Sequence, residues 1–265
     1  MNITEPLGRN AADAHLVADD SNNNTSQTAQ TLSRLRGLVL SGELRAGSRI
    51  AELGLVEKLG VSRTPIRAAL QRLELEGVLE ALPTGGYRVR EFEISDIEDA
   101  IELRGVMEGL AARLAAERGA TPAQLTRARE LLVCMDIVLS EPVFDEEQIN
   151  NFYGRNDEFH QLIVEMCGSR VVRHQLQRTH SMPFASPGAF LRVNHLLPQA
   201  KVAMRISQEQ HQAIIDAISR REGARAEALS QEHARRTRQN LLVALKYRAT
   251  DLVEGGALIR RPVSV

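Results

Sequence analysis

The sequence has few cysteines, no long apolar run and almost no net charge. Its two cysteines, Cys134 and Cys167, form no CxxC pair, which excludes a disulfide framework and a cysteine zinc site. No apolar run approaches the roughly 18–20 residues of a membrane span, and the N-terminus lacks a basic stretch followed by an apolar one. We therefore expect a cytoplasmic protein that does not contact a membrane.

The net charge of −1 is an average over segments of opposite sign. Residues 31–90 carry ten basic and six acidic side chains, whereas residues 91–150 carry five and fourteen. Attraction to a phosphate backbone depends on the face that is presented to it, so the first segment can bind nucleic acid within a nearly neutral chain. Residues 151–265 are also basic, with seventeen basic and ten acidic side chains. Net charge alone would therefore select this region, and not residues 31–90, as the one that binds nucleic acid.

The length of 265 residues is close to the size at which one hydrophobic core gives way to two. Residues 1–25 contain a polar run and almost no apolar periodicity, which predicts a disordered tail. We expect a winged helix-turn-helix over residues 26–92, an all-α bundle over 93–249, and a C-terminal tail over 250–265. The predicted fold class is mainly α, an N-terminal winged helix-turn-helix with a C-terminal helical bundle.

The pattern of the winged region is two short helices around a turn, followed by a β-hairpin. The turn lies at Gly60, after which residues 62–76 have the apolar spacing of an amphipathic helix. Residues 78–82 and 87–90 are typical of two strands, and the turn between them contains Gly85-Gly86. This order of elements predicts the wing.

The start of the second short helix carries the candidate DNA contacts. Ser62 is placed to cap this helix with its side chain. The N-terminal residues of such a helix enter the major groove, which brings Arg63, Thr64 and Arg67 near base edges and phosphates. The planar fork of arginine suits contact with guanine or phosphate. The alternative interpretation is an ordinary capped helix with solvated arginines.

The segment from Val61 to Gly77 resembles the recognition element of the GntR family of bacterial transcription regulators. It matches the family pattern V-S-R-T-P-[VI]-R-x-A-L-x-R-L-x-x-x-G, and a glycine-containing wing follows. The resemblance implies that Arg63 and Arg67 contact DNA and that the wing near Gly86 and Arg88 reaches the minor groove. The complete set of DNA-binding candidates is Ser62, Arg63, Thr64, Arg67, Arg49, Arg72, Gly86 and Arg88.

The region after the wing predicts long helices. Ser95-Asp96-Ile97-Glu98 has the form of a capping box for the first of them, and Thr121-Pro122 caps the next. Later helices are predicted over residues 145–167, 207–221 and 224–248.

Three of these later helices carry a candidate metal site. Asn156 and His160 lie one turn apart on one helix, and His211 and His233 lie on two others, so the four side chains can converge inside the bundle. Imidazole is a usual ligand of zinc and similar ions. Packed, hydrogen-bonded histidines are the alternative interpretation, and a metal-dependent enzyme is the alternative function.

The bundle over residues 93–249 resembles the FCD domain of the FadR-type branch of GntR regulators, which implies a role in effector binding and dimerisation. The matching patterns are Arg104-x-x-x-Glu108, N-x-x-F-H, H-x-x-I-x-x-A-I and a histidine in the last helix. In many members an aspartate and three histidines bind a divalent metal at these positions. The resemblance implies zinc or a similar ion at Asn156, His160, His211 and His233, although Asn156, a weaker neutral donor, replaces the usual aspartate.

Arg104 is the candidate effector-binding residue. It shares a stripe with Ile101 and Glu108, so it points into the bundle, where either an internal pair with Glu108 or a bound carboxylate can neutralise it. In FCD domains this arginine often faces the ligand, which implies a small organic acid. Several stretches, including residues 183–190, are similar to vanillate-responsive VanR-type repressors, which implies an aromatic acid.

These features together predict a homodimeric transcription regulator that is controlled by a ligand, a repressor rather than an enzyme. Its two-fold symmetry would match a short palindromic operator in double-stranded DNA. A small carboxylate changes the affinity for DNA only if it binds one arrangement of the winged domains better than the other.

Overall fold

The computed structural model describes residues 27–142, 145–187, 200–247, 249–250, 253 and 255–260. The predicted tail over residues 1–25 lies outside these ranges. A winged helix-turn-helix precedes a helical bundle, so the predicted fold class is confirmed.

The winged region begins with three helices. Helix α1 covers residues 27–40, α2 is Glu52–Leu59 and α3 is Arg63–Leu75. Gly60 ends α2 with φ of 67°, a left-handed conformation that glycine adopts without steric cost. The chain therefore turns sharply from α2 into α3, as the sequence predicts.

A three-stranded antiparallel sheet completes the winged region. The strands are β1 (Arg49–Ile50), β2 (Leu79–Ala81) and β3 (Tyr87–Val89), in the order β1-β3-β2. The predicted hairpin is confirmed, with Leu79 opposite Val89. Strand β1 was not predicted, because two residues are too short for an alternating pattern to show.

The bundle consists of six long helices in the described part of the chain. None of the helices there is apolar enough over a sufficient length to cross a membrane. The predicted helix over 207–221 begins earlier, at residue 200, and the preceding residues 188–199 lie outside the described ranges. The helices are α4 (Ile94–Arg118), α5 (Pro122–Ser140), α6 (Glu146–Met166), α7 (Arg170–Ser181), α8 (Ala200–Ser219) and α9 (Gly223–Lys246).

One of the three predicted helix caps is confirmed. Thr121 accepts a hydrogen bond from the Gln124 backbone N–H at 3.3 Å and forms a capping box. The capping box of α4 is formed by Glu93 and Asp96, so the prediction that Ser95 begins it was wrong. Ser62 is the N-cap of α3, but its side chain makes no capping hydrogen bond. Position alone identifies the cap residue, whereas the side-chain rotamer decides whether the bond forms.

The described C-terminal residues return to the winged region and are not a free tail. Leu258 and Ile259 are buried in the same core as Leu70 and Val89. The Phe92 N–H donates to the Leu258 carbonyl at 2.9 Å, and the Arg260 N–H donates to the Phe92 carbonyl at 2.9 Å. The sequence-based tail over 250–265 therefore differs from the structure over residues 255–260, where Gly256-Ala257-Leu258 forms a 3-10 turn.

Replacing Leu258 by alanine should lower the free energy of unfolding by about 2–5 kcal/mol, because it leaves a cavity in a closed core. Urea unfolding followed by circular dichroism measures this loss. The control is Leu53→Ala, whose side chain is 60% exposed and whose loss should stay within about 0.5 kcal/mol. Equal stability of the two variants would show that the C-terminal residues do not hold the winged domain.

Candidate functional site

Helix α3 presents one apolar and one polar face. Ile66, Leu70 and Leu73 are buried in the N-terminal core. Arg63, Thr64 and Arg67 lie exposed on the other side of the first two turns. The structure therefore brings together the three side chains that the sequence predicts at the major groove.

The N-terminus of α3 is free to receive an anion. Because Ser62 makes no capping hydrogen bond, the first backbone N–H groups of α3 are not satisfied by its side chain. Such N–H groups and the helix dipole favour a phosphate at this end. Arg67 Nε donates to Glu52 Oε2 at 3.0 Å, whereas Arg63 has no ion-pair partner within residues 27–142. Of these two arginines, only Arg67 is held by an ion pair there.

The wing is a tight turn that depends on glycine. Gly85 and Gly86 both have φ of 84°. Arg49 Nη2 donates to the Gly85 carbonyl at 2.8 Å, which places a guanidinium at the wing tip. Arg88 pairs with Glu80 at 3.2 Å across the hairpin. Three predicted DNA-binding positions, Arg49, Gly86 and Arg88, thus lie close together.

Arg72 lies apart from the other DNA-binding candidates. It is nine residues after Arg63, which on an α-helix is the opposite face. Its Nε donates to Glu76 at 3.1 Å, and it lines a cleft beside Arg178 of α7. The structure does not bring Arg72 together with the exposed end of α3.

Three histidines converge inside the bundle, from α6, α8 and α9. One ligand nitrogen each of His160, His211 and His233 lies within 4.8 Å of the others. The Nε2 atoms of His211 and His233 are 3.0 Å apart. Two nitrogens on one tetrahedral zinc ion, each about 2.0–2.1 Å from the metal, lie about 3.3 Å apart, so a small shift of this pair would accommodate a divalent cation.

The amide of Gln208 fixes the tautomer of His211. Gln208 Nε2 donates to the Leu132 carbonyl at 2.8 Å, so its oxygen faces His211 Nδ1 at 3.2 Å. The proton of neutral His211 is therefore on Nδ1, and the lone pair on Nε2 points toward His233. Gln210 Oε1 lies 3.1 Å from His233 Nδ1. When His233 also carries its proton on Nδ1, the two facing Nε2 lone pairs attract a cation.

Burial keeps the histidines neutral. Desolvation lowers the pKa of His211 to about 3. The same effect, with repulsion from neighbouring positive groups, lowers the pKa values of His160 and His233 well below the ordinary value. Neutral imidazole is the form that binds a metal.

Asn156 lies one turn before His160 on α6, as the sequence predicts, but its neutral amide is a weak metal ligand. Its side chain is 3% exposed, and Nδ2 makes no hydrogen bond of normal geometry to the described residues. The buried Nε2 of His160 also has no partner among them. Burial raises the pKa of the next residue, Asp157, and the Asn156 amide partly offsets that rise. The three histidines fit a divalent metal, and Asn156 adds only a neutral oxygen.

Arg104 forms the internal pair that the sequence left open beside a ligand-binding role. Arg104 Nε lies 3.7 Å from Glu108 Oε2, and its other nitrogens donate to the Ser186 and Ala234 carbonyls and to Thr237 Oγ1. Burial alone would raise the pKa of Glu108, but Arg104 and then His180 outweigh it and hold the pKa below its ordinary value. The ligand-binding role of Arg104 stays a prediction.

The sequence did not identify four polar residues of this site. Gln208 and Gln210 orient the histidines, and His180 Nε2 contacts Glu108 Oε1 at 3.2 Å. Arg236 lines a cavity that also includes His233. Helical spacing could have found Gln208 and Arg236, since each is three residues from a predicted ligand. It could not have found His180, which reaches the site only through the packing of α7 on α4.

Two family descriptions match the chain. Bacterial regulatory proteins of the gntR family match residues 27–89, and the FCD domain matches residues 99–236, just over half of the chain. The domain boundaries at 26–92 and 93–249 stay predictions.

Individual relatives are regulators. The HTH-type transcriptional regulator YdhC of Bacillus subtilis is 28% identical over 58% of this chain, and the Nta operon transcriptional regulator of Aminobacter aminovorans is 34% identical over 48%. The matches span 66% and 57% of those two proteins, less than two thirds of either. Both names describe transcription regulators, as does the gntR family description, which favours the predicted regulator over the alternative of a metal-dependent enzyme.

A solved structure shares the fold. E. coli McbR/YncC aligns with a TM-score of 0.57 and 22% identity, over 83% of this chain and 98% of that one. The exposed end of α3 and the wing thus lie in the region that matches the gntR family, and the histidine cluster lies in the region that matches the FCD domain. The chain belongs to the GntR family of bacterial transcription regulators, with an FCD domain after its winged helix-turn-helix.

Proposed function

We propose that this regulator is a homodimeric repressor in the cytoplasm that binds a short palindromic operator and is controlled by a small aromatic carboxylic acid. The observation that carries the DNA-binding part is the exposed first turn of α3, with Arg63, Thr64 and Arg67 beside an uncapped helix N-terminus. Arg49, Gly86 and Arg88 would contact the adjoining groove through the wing.

Exposed apolar side chains support a dimer. Leu103 and Val106 of α4 are 48% and 46% exposed, and Val171 of α7, a helix that packs on α4, is 73% exposed. A second copy of the chain that covered these side chains would remove apolar area from water. Two copies related by a two-fold axis present two recognition helices to a palindrome.

The histidine cluster supports a metal-assisted effector site. His160, His211 and His233 would hold zinc or a similar ion, with Asn156 as a weaker fourth donor. A bound divalent ion supplies positive charge that attracts a carboxylate. Gln208 keeps His211 Nε2 deprotonated for this role, and the Gln210 amide lies beside Nδ1 of His233.

The segment between α7 and residue 188 supports a route from the effector site to the winged domain. The Ser186 carbonyl accepts a hydrogen bond from Arg104, while the ring of nearby Phe184 packs edge-on against Phe92 at 5.5 Å. Phe184 has φ of 67°, a strained conformation that persists only where packing holds it. A ligand that altered the bond to Ser186 would shift Phe184 against Phe92, which directly follows the wing.

The DNA-binding proposal predicts that Arg63→Ala weakens operator binding by about 1–3 kcal/mol, because the variant loses a base or phosphate contact. Affinity should also fall steeply with salt, since phosphate contacts release counterions. Gel-shift titration on operator fragments at several salt concentrations measures both effects. Arg129→Ala, an exposed arginine of α5, is the control and should bind as the wild type does. Unchanged affinity of Arg63→Ala would contradict the proposal.

A further inference from the structure

A cleft between α3 and α7 has the size of a small-molecule site. Its volume of about 330 Å³ lies in the range of roughly 300–1,000 Å³ that is typical of such sites. One wall is the C-terminal end of α3, and the other is one face of α7. The side chains that matter here are Arg72, Leu75 and Glu76 from the first wall and His174, Gln177 and Arg178 from the second.

The cleft carries an excess of positive charge. Glu76 is the acidic side chain that lines it within the described part of the chain, and it already holds two arginines. Arg36 Nη2 donates to Glu76 Oε2 at 2.7 Å, and Arg72 Nε donates to Glu76 Oε1 at 3.1 Å. Arg178 has no ion pair with a described residue, and α7 contains no acidic side chain. Three guanidinium groups therefore face one carboxylate, which leaves two positive charges without a counter-ion.

Arg72 is held in place while part of its guanidinium is unused. Its Nε is bonded to the Glu76 carboxylate, whose side chain is only 5% exposed and so is a fixed point. The two terminal nitrogens of Arg72 have no acceptor among the described residues. Their N–H donors are available to an anion, and a guanidinium that is already oriented loses little freedom when the anion binds.

The operator would not cover this cleft. Arg72 lies nine residues after Arg63, about 13 Å farther along α3 and on the opposite face. DNA that contacts the exposed N-terminal end of α3 therefore leaves the cleft open, and its arginines are not needed for phosphates of the same duplex. An anion in the cleft is a separate ligand.

We infer that this cleft binds a small phosphate monoester through Arg72 and Arg178. A phosphate monoester carries a charge of about −1.5 to −2 at pH 7, which matches the two positive charges without a counter-ion. Arginine binds phosphate oxygens through two parallel N–H donors. His174 and Gln177 offer further polar contacts, and the 66% exposed Leu75 would contact the organic part. The site is separate from the histidine cluster and does not depend on the effector proposed for the bundle.

The test is calorimetric titration of the full chain with phenyl phosphate and with the uncharged analogue phenol. Wild type should bind phenyl phosphate and not phenol. Arg178→Met should bind phenyl phosphate at least about tenfold more weakly, because a charge-assisted contact is lost. Gln177→Glu keeps the shape of the side chain and adds a negative charge to the cleft, so it should also weaken binding.

Two control variants exclude other phosphate sites. Arg173→Met removes an exposed arginine of α7 that does not line the cleft. Arg63→Met removes the cation beside the uncapped N-terminus of α3, where a phosphate is also favoured. Both controls should bind phenyl phosphate as wild type does.

Three results would each overturn the inference. They are no saturable binding of phenyl phosphate by wild type at about 10 mM, wild-type affinity in a cleft variant that is folded by circular dichroism, and an equally large loss in either control. Arg178 and Gln177 are both exposed, so their replacement should not disturb the fold. If Arg178→Met does not fold, the Gln177→Glu result still decides.

Discussion

Replacing Arg104 by methionine should lower the free energy of unfolding by about 3–5 kcal/mol, because it leaves the buried Glu108 carboxylate without its guanidinium. Both side chains are almost fully buried, Arg104 at 2% and Glu108 at 7% exposure. The variant also loses the donors that hold Ser186 and Thr237. Urea unfolding of the full chain at neutral pH measures the loss.

Helix α4 provides a matched control for this variant. Arg113 and Glu117 have the same i, i+4 spacing and the same 3.7 Å separation as Arg104 and Glu108, but they are partly exposed, and Arg113 also pairs with Glu227 at 2.9 Å. Arg113→Met should therefore cost at most about 1 kcal/mol. The double variant Arg104→Met/Glu108→Met should recover most of the stability, since it removes both buried charges. Equal losses for the two single variants would show that the buried pair does not stabilise the bundle.

Local patterns were sufficient to predict the winged region. The left-handed turn at Gly60 and the hairpin turn at Gly85 need residues that tolerate positive φ, and glycine at those positions is visible in the sequence. The buried face of α3 follows helical spacing, which also determines that Arg63 and Arg67 are exposed. Cap identity was less predictable, because Ser95 and Glu93 both satisfy a capping pattern near the start of α4.

The effector site could be predicted only as a set of ligand positions. The histidine at 211 is 51 residues after His160 and 22 before His233, so their convergence depends on how three helices pack. Among Arg235, Arg236 and Arg238, only the rotation of α9 decides that Arg236 is half-buried while the other two are exposed. The C-terminal residues near Leu258 gave no signal either, since their partners are Phe92 and the core of a distant region.

The purified chain should hold about one divalent ion, and His211→Ala should lose it. His211 is fully buried, and Gln208 fixes its tautomer so that Nε2 lies 3.0 Å from His233 Nε2. Removing one of three imidazole ligands leaves too few strong donors, because Asn156 contributes only a neutral oxygen. Elemental analysis of protein prepared without chelator measures occupancy, and competition with a zinc indicator gives the affinity.

Two further variants separate loss of a ligand from loss of structure. Gln208→Leu keeps all three histidines but removes the acceptor for His211 Nδ1, so zinc affinity should fall by about 10–100-fold, less than in His211→Ala. His174→Ala, an exposed histidine of α7, should keep the ion. Metal-free wild type, or a His211→Ala variant that is folded by circular dichroism and still carries one ion, would contradict the assignment. The cluster would then be a hydrogen-bonded packing unit, with His233 Nε2 donating its proton to His211.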